Sequence, residues 1–370
     1  MYPHEVNPIG GLRSVLHNKM AHLFLALVFS VGLSGCCPPF CPEIKCPPNC
    51  PQTGQSTGTV KAPFTLAYVD THWRLQIRLS DDGLNWRSAS VGHPEIDRAP
   101  GIAANDTGVF YLAIFQDAVS NAGFMMGLGP ATWDSRPSTV GNGHRGEIGS
   151  GTSILHVQGK KWLVAFRHGN RAKVLEFDSS SSVRDFGSDV TPVAAVTNDN
   201  LDDRPAMVNR NGSLIVSWLM TNKRLQVVTG NVASGAPVWD AGYLFTTPER
   251  GFLAPERAHD LSTDGQNFYL AVVRARVPEP GQTIKHYFLF IYRSTDGQHW
   301  TMLTSHEIQV PSALTIAARG TNDIVAIATG STFTTALRFD GSSWALLNRN
   351  AVFGSNPNNV GHELTLYAKY

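Results

Sequence analysis

The sequence predicts an all-β protein whose main domain is a six-bladed β-propeller, and three observations lead to this prediction. Only 16% of the 370 residues are charged, whereas 34 are Gly and 22 are Pro, a composition typical of turn-rich β proteins. From residue 63 onward, short apolar runs of period two are broken by Gly, Asn, Asp and Pro, and long helical periodicity is absent. A hairpin pattern also recurs at intervals of roughly fifty residues.

The recurring unit is a strand, a polar turn and an apolar strand, followed by two weaker strands. Five segments begin such a unit: 101–115, 152–166, 205–219, 258–273 and 313–328. One four-stranded unit cannot bury both faces of its own sheet, so neighbouring units must stack around a common axis. This arrangement is a propeller.

The chain ends supply the sixth blade. Segments 64–70, 74–80 and 86–91 predict three strands that have no innermost partner, and 362–370 predicts one strand without a partner of its own. Pairing them closes the ring and removes an open sheet edge, which would otherwise promote association. Five and seven blades are the alternatives to this count.

The N-terminus has the pattern of an export signal. Basic residues precede the apolar run 23–33, and small residues follow it. The run is too short to span a bilayer comfortably. Leu33-Ser34-Gly35-Cys36 resembles the bacterial lipobox, which implies cleavage before Cys36, its acylation, and anchoring to a membrane of the cell envelope, facing the periplasm or the exterior. An ordinary signal peptide cut nearby is the alternative, and Met20 is an alternative start.

All five cysteines lie between residues 36 and 50. With Cys36 acylated, four cysteines remain: Cys37, Cys41, Cys46 and Cys50. An even number in an exported protein favours two disulfides, for which three pairings are possible. Zinc binding is the competing interpretation. Prolines and a Gly/Thr-rich stretch surround these cysteines. The predicted organisation is therefore a signal peptide at 1–35, a Cys- and Pro-rich linker to the lipid anchor at 36–62 and a propeller at 63–370.

Charge and motifs exclude several classes of function. The net charge is +1, with 30 basic and 29 acidic residues and no basic run, so nucleic acid is not an expected partner. The stretch 141–146 (GNGHRG) has the spacing of a dinucleotide motif but lacks the strand-to-helix context. No histidine pair has metal-ligand spacing. The sequence therefore predicts no cofactor and no metal.

Two heptapeptides, SDDGLNW (80–86) and STDGQHW (294–300), repeat one turn more than two hundred residues apart. Both fall between the third and fourth strands of a blade. In such a turn the Asp side chain accepts hydrogen bonds from backbone N–H groups, Gly adopts a positive φ, and Trp packs between sheets. The residues that carry the pattern are Ser80, Asp82, Gly83 and Trp86, and Ser294, Asp296, Gly297 and Trp300.

These turns resemble the Asp-box (BNR) repeat of the sialidase-like propellers. Asp340-Gly341 with Trp344 is a degenerate third copy, whereas the similar spacing at Asp264 lies in a first-hairpin turn and is set aside. In that family the repeat is structural and also occurs in propellers without glycosidase activity. The resemblance therefore implies the fold and not an activity.

Charged residues precede the innermost strand in nearly every predicted blade. They are Asp97 and Arg98, Arg145 and Glu147, Asp203 and Arg204, Glu256 and Arg257, and His362 and Glu363. His144, His259 and Asp260 lie on the same side. Because arginine binds carboxylates in a bidentate manner, this recurrence predicts a central funnel that binds a glycan or acidic sugar. The alternative is that each arginine ties its blade to a neighbour through a salt bridge.

In sialidases three arginines hold the substrate carboxylate, a Tyr paired with a Glu is the nucleophile, and an Asp is the acid/base. Arg98-Ala99-Pro100 resembles the first of these arginine motifs, and Arg257 matches the second. The third arginine has no counterpart at 310–313, the corresponding position of the next blade. Arg204, from another blade, is the candidate to replace it. The resemblance implies catalytic roles for Asp117, Glu256 and Tyr367, with Tyr243 as an alternative nucleophile.

Two hypotheses for function follow. The first is a glycoside hydrolase that acts on acidic sugars, and the second is a non-catalytic module that binds a protein or a glycan in the cell envelope. Trp73 and Trp162 are candidates for stacking on sugar rings, although Trp packs more often than it binds ligands in propellers.

Overall fold

The computed structural model describes residues 63–369 apart from short segments. The segments outside the description are 90, 93, 97, 99, 117–121, 135–137, 140–150, 180–185, 197–200, 202, 234, 247–248, 279, 282–284, 331–332, 348 and 355–363. The predicted signal peptide, Cys36 and the linker at 36–62 also lie outside the described residues. No helix in the described part of the chain is long and apolar enough to cross a membrane.

The strands of the first three blades follow one another along the chain. Blade 1 contains β1 (Phe64–Val69), β2 (Leu75–Ser80) and β3 (Arg87–Ser88). Blade 2 contains β4 (Gly101–Ala104), β5 (Phe110–Gln116), β6 (Ala122–Leu128) and β7 (Ser138–Thr139). Blade 3 contains β8 (Thr152–Gln158), β9 (Lys161–His168), β10 (Arg171–Asp178) and β11 (Phe186–Asp189), with a 3-10 helix at Val193–Val196 after it.

The other three blades repeat this order. Blade 4 contains β12 (Ala206–Arg210), β13 (Ser213–Leu219), β14 (Leu225–Ala233), β15 (Ala236–Trp239) and the short β16 (Tyr243–Leu244). Blade 5 contains β17 (Phe252–Thr263), β18 (Phe268–Arg276), β19 (Tyr287–Ser294) and β20 (Thr301–Ile308). Blade 6 contains β21 (Ala313–Gly320), β22 (Asp323–Thr329), β23 (Thr334–Phe339) and β24 (Trp344–Leu347). Helix α1 (Arg349–Phe353) and the final strand β25 (Leu364–Tyr367) follow.

The final strand closes the ring, as the sequence predicted. β25 pairs antiparallel with β1, from Thr65 opposite Tyr367 to Tyr68 opposite Leu364. It becomes the innermost strand of blade 1, and the sheet order is β25-β1-β2-β3. The innermost strand of each blade contacts the innermost strands of both neighbours. The prediction of six blades closed by the two chain ends is confirmed.

The hydrophobic core is divided among the spaces between blades. Each of six buried clusters contains side chains from two neighbouring blades, including the pair formed by blades 6 and 1. The period-two pattern of each central strand therefore serves both of its faces, because each face packs on a different neighbour. Stability in the described residues comes from this packing and from hydrogen bonds between blades.

Side chains cover the open backbone edges of the innermost strands. An innermost strand has a hydrogen-bonding partner on one side only, so its other edge faces the axis. Hydroxyl and carboxylate groups of neighbouring blades accept hydrogen bonds from backbone N–H groups along this edge. The pairs, acceptor first, are Thr152 and Gly101, Ser153 and Met207, Asp203 and His259, Asp260 and Ile316, Ser262 and Ala318, and Thr315 and Leu366. These bonds join blades 2 to 3, 3 to 4, 4 to 5, 5 to 6 and 6 to 1, and they satisfy buried donors.

The two heptapeptide turns have the geometry that the sequence predicted. Asp82 Oδ1 accepts the N–H groups of Leu84 and Asn85, and the Ser80 hydroxyl accepts the N–H of Gly83. Asp296 and Ser294 repeat these bonds in blade 5. Both turns lie between the third and fourth strands of their sheets.

Glycine is required in these turns for two reasons. Gly83 and Gly297 have φ values of 75° and 76°. A Cβ at Gly83 would lie 2.5 Å from the Arg338 side chain of blade 6, and a Cβ at Gly297 would lie 2.5 Å from Ile215 of blade 4. The turn backbone therefore packs directly on the preceding blade.

An arginine at the end of the preceding innermost strand anchors each turn. Arg319 of blade 6 donates to the carbonyl of Asp81, and its guanidinium lies 4.1 Å from the ring of Phe64. Arg210 of blade 4 donates to the carbonyl of Thr295 and lies 4.1 Å from the ring of Phe268. The two turns therefore fasten their blades to the previous ones by the same pair of contacts.

We expect the turn carboxylates to make stability depend on pH in the acid range. Burial opposes ionisation of Asp82, but hydrogen bonds from Asn85, Leu84 and Ser80 lower its pKa to about 2. Because the pKa of an unfolded Asp is about 3.9, this contribution is complete above pH ~4 and is lost as the pH falls towards ~2. Asp82 is only half-buried, so solvent screening limits the effect to less than ~1 kcal/mol.

Urea unfolding of an Asp82→Asn variant between pH 2 and pH 7 measures this effect. The variant should be less stable than the native chain at pH 7, and the difference should shrink on acidification. Asp81→Asn is the matched control, because that carboxylate makes an exposed ion pair with Arg87. A difference that stays constant with pH would contradict the assignment.

Candidate functional site on the upper face

The propeller has two faces, which are defined by the direction of the innermost strands. The upper face is the one at which the innermost strands begin, and the lower face is the one at which they end. The charged residues that the sequence singled out precede the innermost strands. The described members of that set, together with their neighbours, therefore define the candidate site on the upper face.

Arg204 crosses the axis of the propeller. It is buried, and its Nη1 donates to Thr365 Oγ1 of the opposite blade at 2.6 Å and to the carbonyl of Thr152 at 3.2 Å. Its Nη2 lies 3.4 Å from Asp260 Oδ2 of blade 5. This guanidinium therefore ties blades 1, 3, 4 and 5 together and occupies the centre of the channel.

The carboxylate of Asp260 is equally enclosed. Its Oδ2 accepts the Thr315 hydroxyl at 2.6 Å and the N–H of Ile316 at 3.0 Å. Burial raises the pKa of Asp260 above its ordinary value, although Arg204 opposes this shift. Arg204 and Asp260 therefore form a buried ion pair inside a hydrogen-bond network, which matches the blade-tying interpretation of the axial charges.

Asp203 and His259 form a second pair next to the first. Asp203 Oδ2 accepts the backbone N–H of His259 at 3.0 Å and lies 3.3 Å from His259 Nδ1. His259 is completely buried, and its Nε2 has no hydrogen-bond partner within the described residues. The carboxylate therefore orients the imidazole and covers the edge of β17 at the same time.

Glu256 and Arg257 lie on an irregular part of β17. The pairing of β17 with β18 shifts register between Pro255 and His259, and Arg257 has a left-handed φ of 77°. Glu256 is buried and accepts a hydrogen bond from Lys285 Nζ at 3.2 Å. Arg257 is exposed, and its guanidinium lies 5.2 Å from the ring of Tyr287. The bulge therefore directs one side chain inward and presents the other to solvent.

A buried Tyr–Glu–Arg cluster lies elsewhere on blade 5. Tyr292 OH donates to Glu249 Oε2 at 3.1 Å, and Arg274 Nη1 is also 3.1 Å from Glu249 Oε2. Burial raises the pKa of the Tyr292 hydroxyl, Arg274 lowers it, and Glu249 raises it again. Tyr292 has no exposed surface and packs between blades 4 and 5. The cluster is therefore a packing element.

The structure separates the proposed nucleophiles from the upper face. Tyr367 OH is 3.5 Å from the carbonyl of Ala104, and its ring packs edge-on against Tyr111. Tyr243 accepts a hydrogen bond from Trp300 Nε1 and donates to the carbonyl of Gly297 in the second heptapeptide turn. Burial raises the pKa of Tyr243 to about 12. Within the described residues neither hydroxyl lies near Arg204 or Arg257.

Several predicted site residues lie outside the described residues. These are Asp97, Asp117, His144, Arg145, Glu147, His362 and Glu363. Arg98 is described and half-buried in the segment that leads into β4. Among the described residues, the structure places Arg204 before β12 and Glu256 and Arg257 on β17, and the binding and catalytic roles assigned to all of the site residues remain predictions.

Sequence reasoning missed a cavity of about 100 Å³ in the channel below Arg204. The innermost strands line it with apolar side chains and with Ser153, Asp260, Ser262 and Thr365. Its polar groups on the lower face are Asp106, His156, Asn209, Thr263 and Lys369. His156 Nδ1 lies 3.1 Å from Asp106 Oδ1, and its Nε2 lies 2.9 Å from the carbonyl of Gly159. Burial lowers the pKa of Lys369.

The hydroxyl groups that join the innermost strands were also missed. Thr152, Thr315 and Thr365 each lie near the start of an innermost strand. This recurrence was available as a signal, but threonine is common in strands and its role depends on the neighbouring blade. In the described residues no group of three or more His, Cys, Asp or Glu side chains could hold a metal ion.

Comparison with known proteins supports the fold alone. No protein-family model matches the chain, and no curated protein does. The crystal structure of TolB from Acinetobacter baumannii is 13% identical with a TM-score of 0.51, over 84% of this chain and 67% of that one. A lectin from Aleuria aurantia is 12% identical with a TM-score of 0.47, over 80% and 93% of the two chains. An α-L-arabinanase from Penicillium chrysogenum is 11% identical with a TM-score of 0.44, over 74% and 82%.

Proposed function

We propose that the protein is an exported, lipid-anchored propeller that binds an acidic glycan on its upper face and does not cleave it. The observation that carries this proposal is the exposed guanidinium of Arg257, held in a left-handed backbone conformation on a bulge of the innermost strand of blade 5. A left-handed conformation costs a residue with a side chain about 1–2 kcal/mol. Strain of this kind persists where the surrounding structure enforces it, and it often marks a binding site.

The charges around Arg257 favour an anionic ligand. Arg250 and Arg276 are exposed near the start of β17, and Lys285 is half-exposed. Glu256 is neutralised by Lys285, and Glu249 is neutralised by Arg274. Within the described residues no carboxylate forms an ion pair with Arg257. A sugar carboxylate can therefore bind the guanidinium in the bidentate geometry that arginine prefers.

The same pairings favour binding over hydrolysis. A glycosidase needs a carboxylic acid and a nucleophile that both reach the anomeric carbon. The carboxylates of Asp203, Glu256 and Asp260 are engaged by His259, Lys285 and Arg204, respectively, and Tyr367 contacts Ala104. Lipid anchoring rests on the lipobox resemblance at Cys36. Radioactive fatty acid labelling of the full chain tests it, and an unlabelled chain would contradict it.

An Arg257→Gly variant separates the backbone strain at residue 257 from the contribution of the arginine side chain to binding. Glycine adopts a positive φ without strain, so we expect the variant to be as stable as the native chain or about 1 kcal/mol more stable. The loss of a charged bidentate contact should weaken binding of sialyllactose or digalacturonate by about tenfold or more. Titration calorimetry of the detergent-solubilised full chain and its thermal midpoint measure the two effects.

Lys223→Gly is the matched control, because Lys223 also carries a cation at a left-handed φ of 64°. It should gain similar stability and bind both sugars as the native chain does. Unchanged binding by the Arg257→Gly variant would contradict the proposed site. Release of free sugar from a fluorogenic sialoside or uronide by the native chain would instead establish the hydrolase.

A further inference from the structure

We infer that Trp73 is a stacking platform for a neutral pyranose ring, a second subsite on the upper face. This inference rests on the proposed glycan-binding function and extends it to a particular side chain and a particular class of sugar. It starts from an exception in how this chain uses tryptophan. All eight tryptophans are described, seven are buried or half-buried, and Trp73 exposes 54% of its surface.

The seven other tryptophans have identifiable structural roles. Trp86 and Trp300 pack between blades as parts of the heptapeptide turns. Trp133, Trp162 and Trp239 donate their indole N–H to Pro130, Ser179 and Val190. Trp218 is buried between blades 3 and 4, and Trp344 stacks on Phe339. Trp162, the other candidate from the sequence, is therefore a packing residue, and Trp73 is the one that presents its indole to solvent.

The backbone holds Trp73 in an unfavourable conformation. Its φ is 58°, in the left-handed region that bulky side chains rarely adopt. The carboxylate of Asp70 maintains this turn: Oδ1 accepts the N–H groups of His72 and Arg74 at 2.8 and 3.0 Å, and Oδ2 accepts Gln76 Nε2 at 2.8 Å. A glycine at this position would remove the strain. A rigid turn that exposes an aromatic ring is preorganised for a ligand.

The turn is joined to the segment that leads to the axis. The carbonyl of Trp73 accepts the N–H of Ile96 at 2.7 Å, and the N–H of Leu75 donates to the carbonyl of Pro94 at 2.9 Å. Arg74 and Glu95 form a β-bridge between the two segments. Arg98 lies two residues beyond Ile96, so the indole is on the rim of the same face as the arginine-bearing segments.

The surroundings of the indole fit a sugar better than a protein partner. Thr71, His72, Arg74 and Glu95 are exposed and polar, and no other exposed large hydrophobic residue lies in segments 71–75 or 94–96. A protein-binding hot spot is usually surrounded by further apolar contacts. A pyranose ring can stack one C–H face on the indole. The hydroxyls at its edge can form hydrogen bonds with the side chains of His72, Arg74 and Glu95.

The experiment follows the fluorescence of the full chain in detergent during titration with lactose, cellobiose and N,N′-diacetylchitobiose. Because most of the other indoles are enclosed, we expect a sugar that covers Trp73 to shift the emission to shorter wavelength. Trp73→Ala should abolish the shift and weaken binding by about tenfold, whereas Trp73→Phe should retain most of the affinity. Leu128→Ala, which changes an exposed apolar residue on another blade, is the control and should bind as the native chain does.

The outcomes for the two sites are distinguishable. If Trp73→Ala binds the neutral disaccharides as the native chain does, or if none of them shifts the emission, the stacking platform is wrong whatever Arg257 does. If sialyllactose binding depends on Arg257 and not on Trp73, the proposed function stands without this subsite. Loss of a chemically cross-linked protein partner in Trp73→Ala, with sugar binding intact, would assign the indole to a protein interface and overturn the inference.

Discussion

A chain that ends at residue 363 is expected to lose cooperative folding, because it lacks the innermost strand of blade 1. Leu364 and Leu366 are buried between blades 6 and 1, and Leu366 donates its N–H to Thr315. Without β25, the buried strand β1 becomes an open apolar edge. The loss should exceed about 5 kcal/mol, the lower range of the stability of a typical domain.

Circular dichroism during heating and size-exclusion chromatography measure this effect. The truncated chain should show no cooperative transition and should elute as aggregates. A chain that ends at Ala368 is the control, because it retains all of β25 and loses only the last two residues. A cooperative transition of the shorter chain within a few degrees of the control would show that the ring does not need its closing strand.

Arg204→Ala is expected to destabilise the protein by about 3–5 kcal/mol, because it leaves the Asp260 carboxylate buried without its cation. The loss should depend on pH. The folded pKa of Asp260 is already raised by burial and rises further when Arg204 is removed. A raised folded pKa favours the fold while the group is protonated, so the variant should be closest to the native chain below pH ~4 and should lose stability as the pH rises.

Urea unfolding at several pH values tests this prediction with two further variants. Arg204→Met with Asp260→Asn removes both charges, so this double variant should recover most of the lost stability and should lack the pH dependence of Arg204→Ala. Arg87→Ala removes an arginine from an exposed ion pair with Asp81 and should cost less than ~1 kcal/mol. A loss below 1 kcal/mol for Arg204→Ala would contradict a structural role at the axis.

The fold was predictable because its signals are local and repeated. Turn residues and period-two strands recur every fifty residues or so, and no unit can bury its own faces alone. The heptapeptide turns were predictable for the same reason, since Ser80, Asp82 and Gly83 form hydrogen bonds within a few residues of one another. Arg210 and Arg319, which anchor these turns, were not predicted, because their contacts lie 85 and 238 residues away.

The sequence predicted a candidate site from charged residues near the starts of the innermost strands, but it did not predict the surroundings of each residue. Charged residues do gather where the innermost strands begin, and Arg204, Glu256 and Arg257 are among them. Their sequence patterns are alike, yet Arg204 is buried in a network across the axis and Arg257 is exposed on a bulge. Sequence spacing does not distinguish these cases, because the difference lies in which neighbour reaches the side chain.

By itself, the sequence determined the class of fold, the closure of the ring by its ends and the presence of charge near the axis. The tertiary structure decided which of those charges are available to a ligand, and it distinguished the exposed, strained Trp73 from the buried Trp162. The physical reason is that strand periodicity and turn chemistry act over a few residues. Burial, ion pairing and the loss of water around a charge depend on groups that only the closed ring brings together.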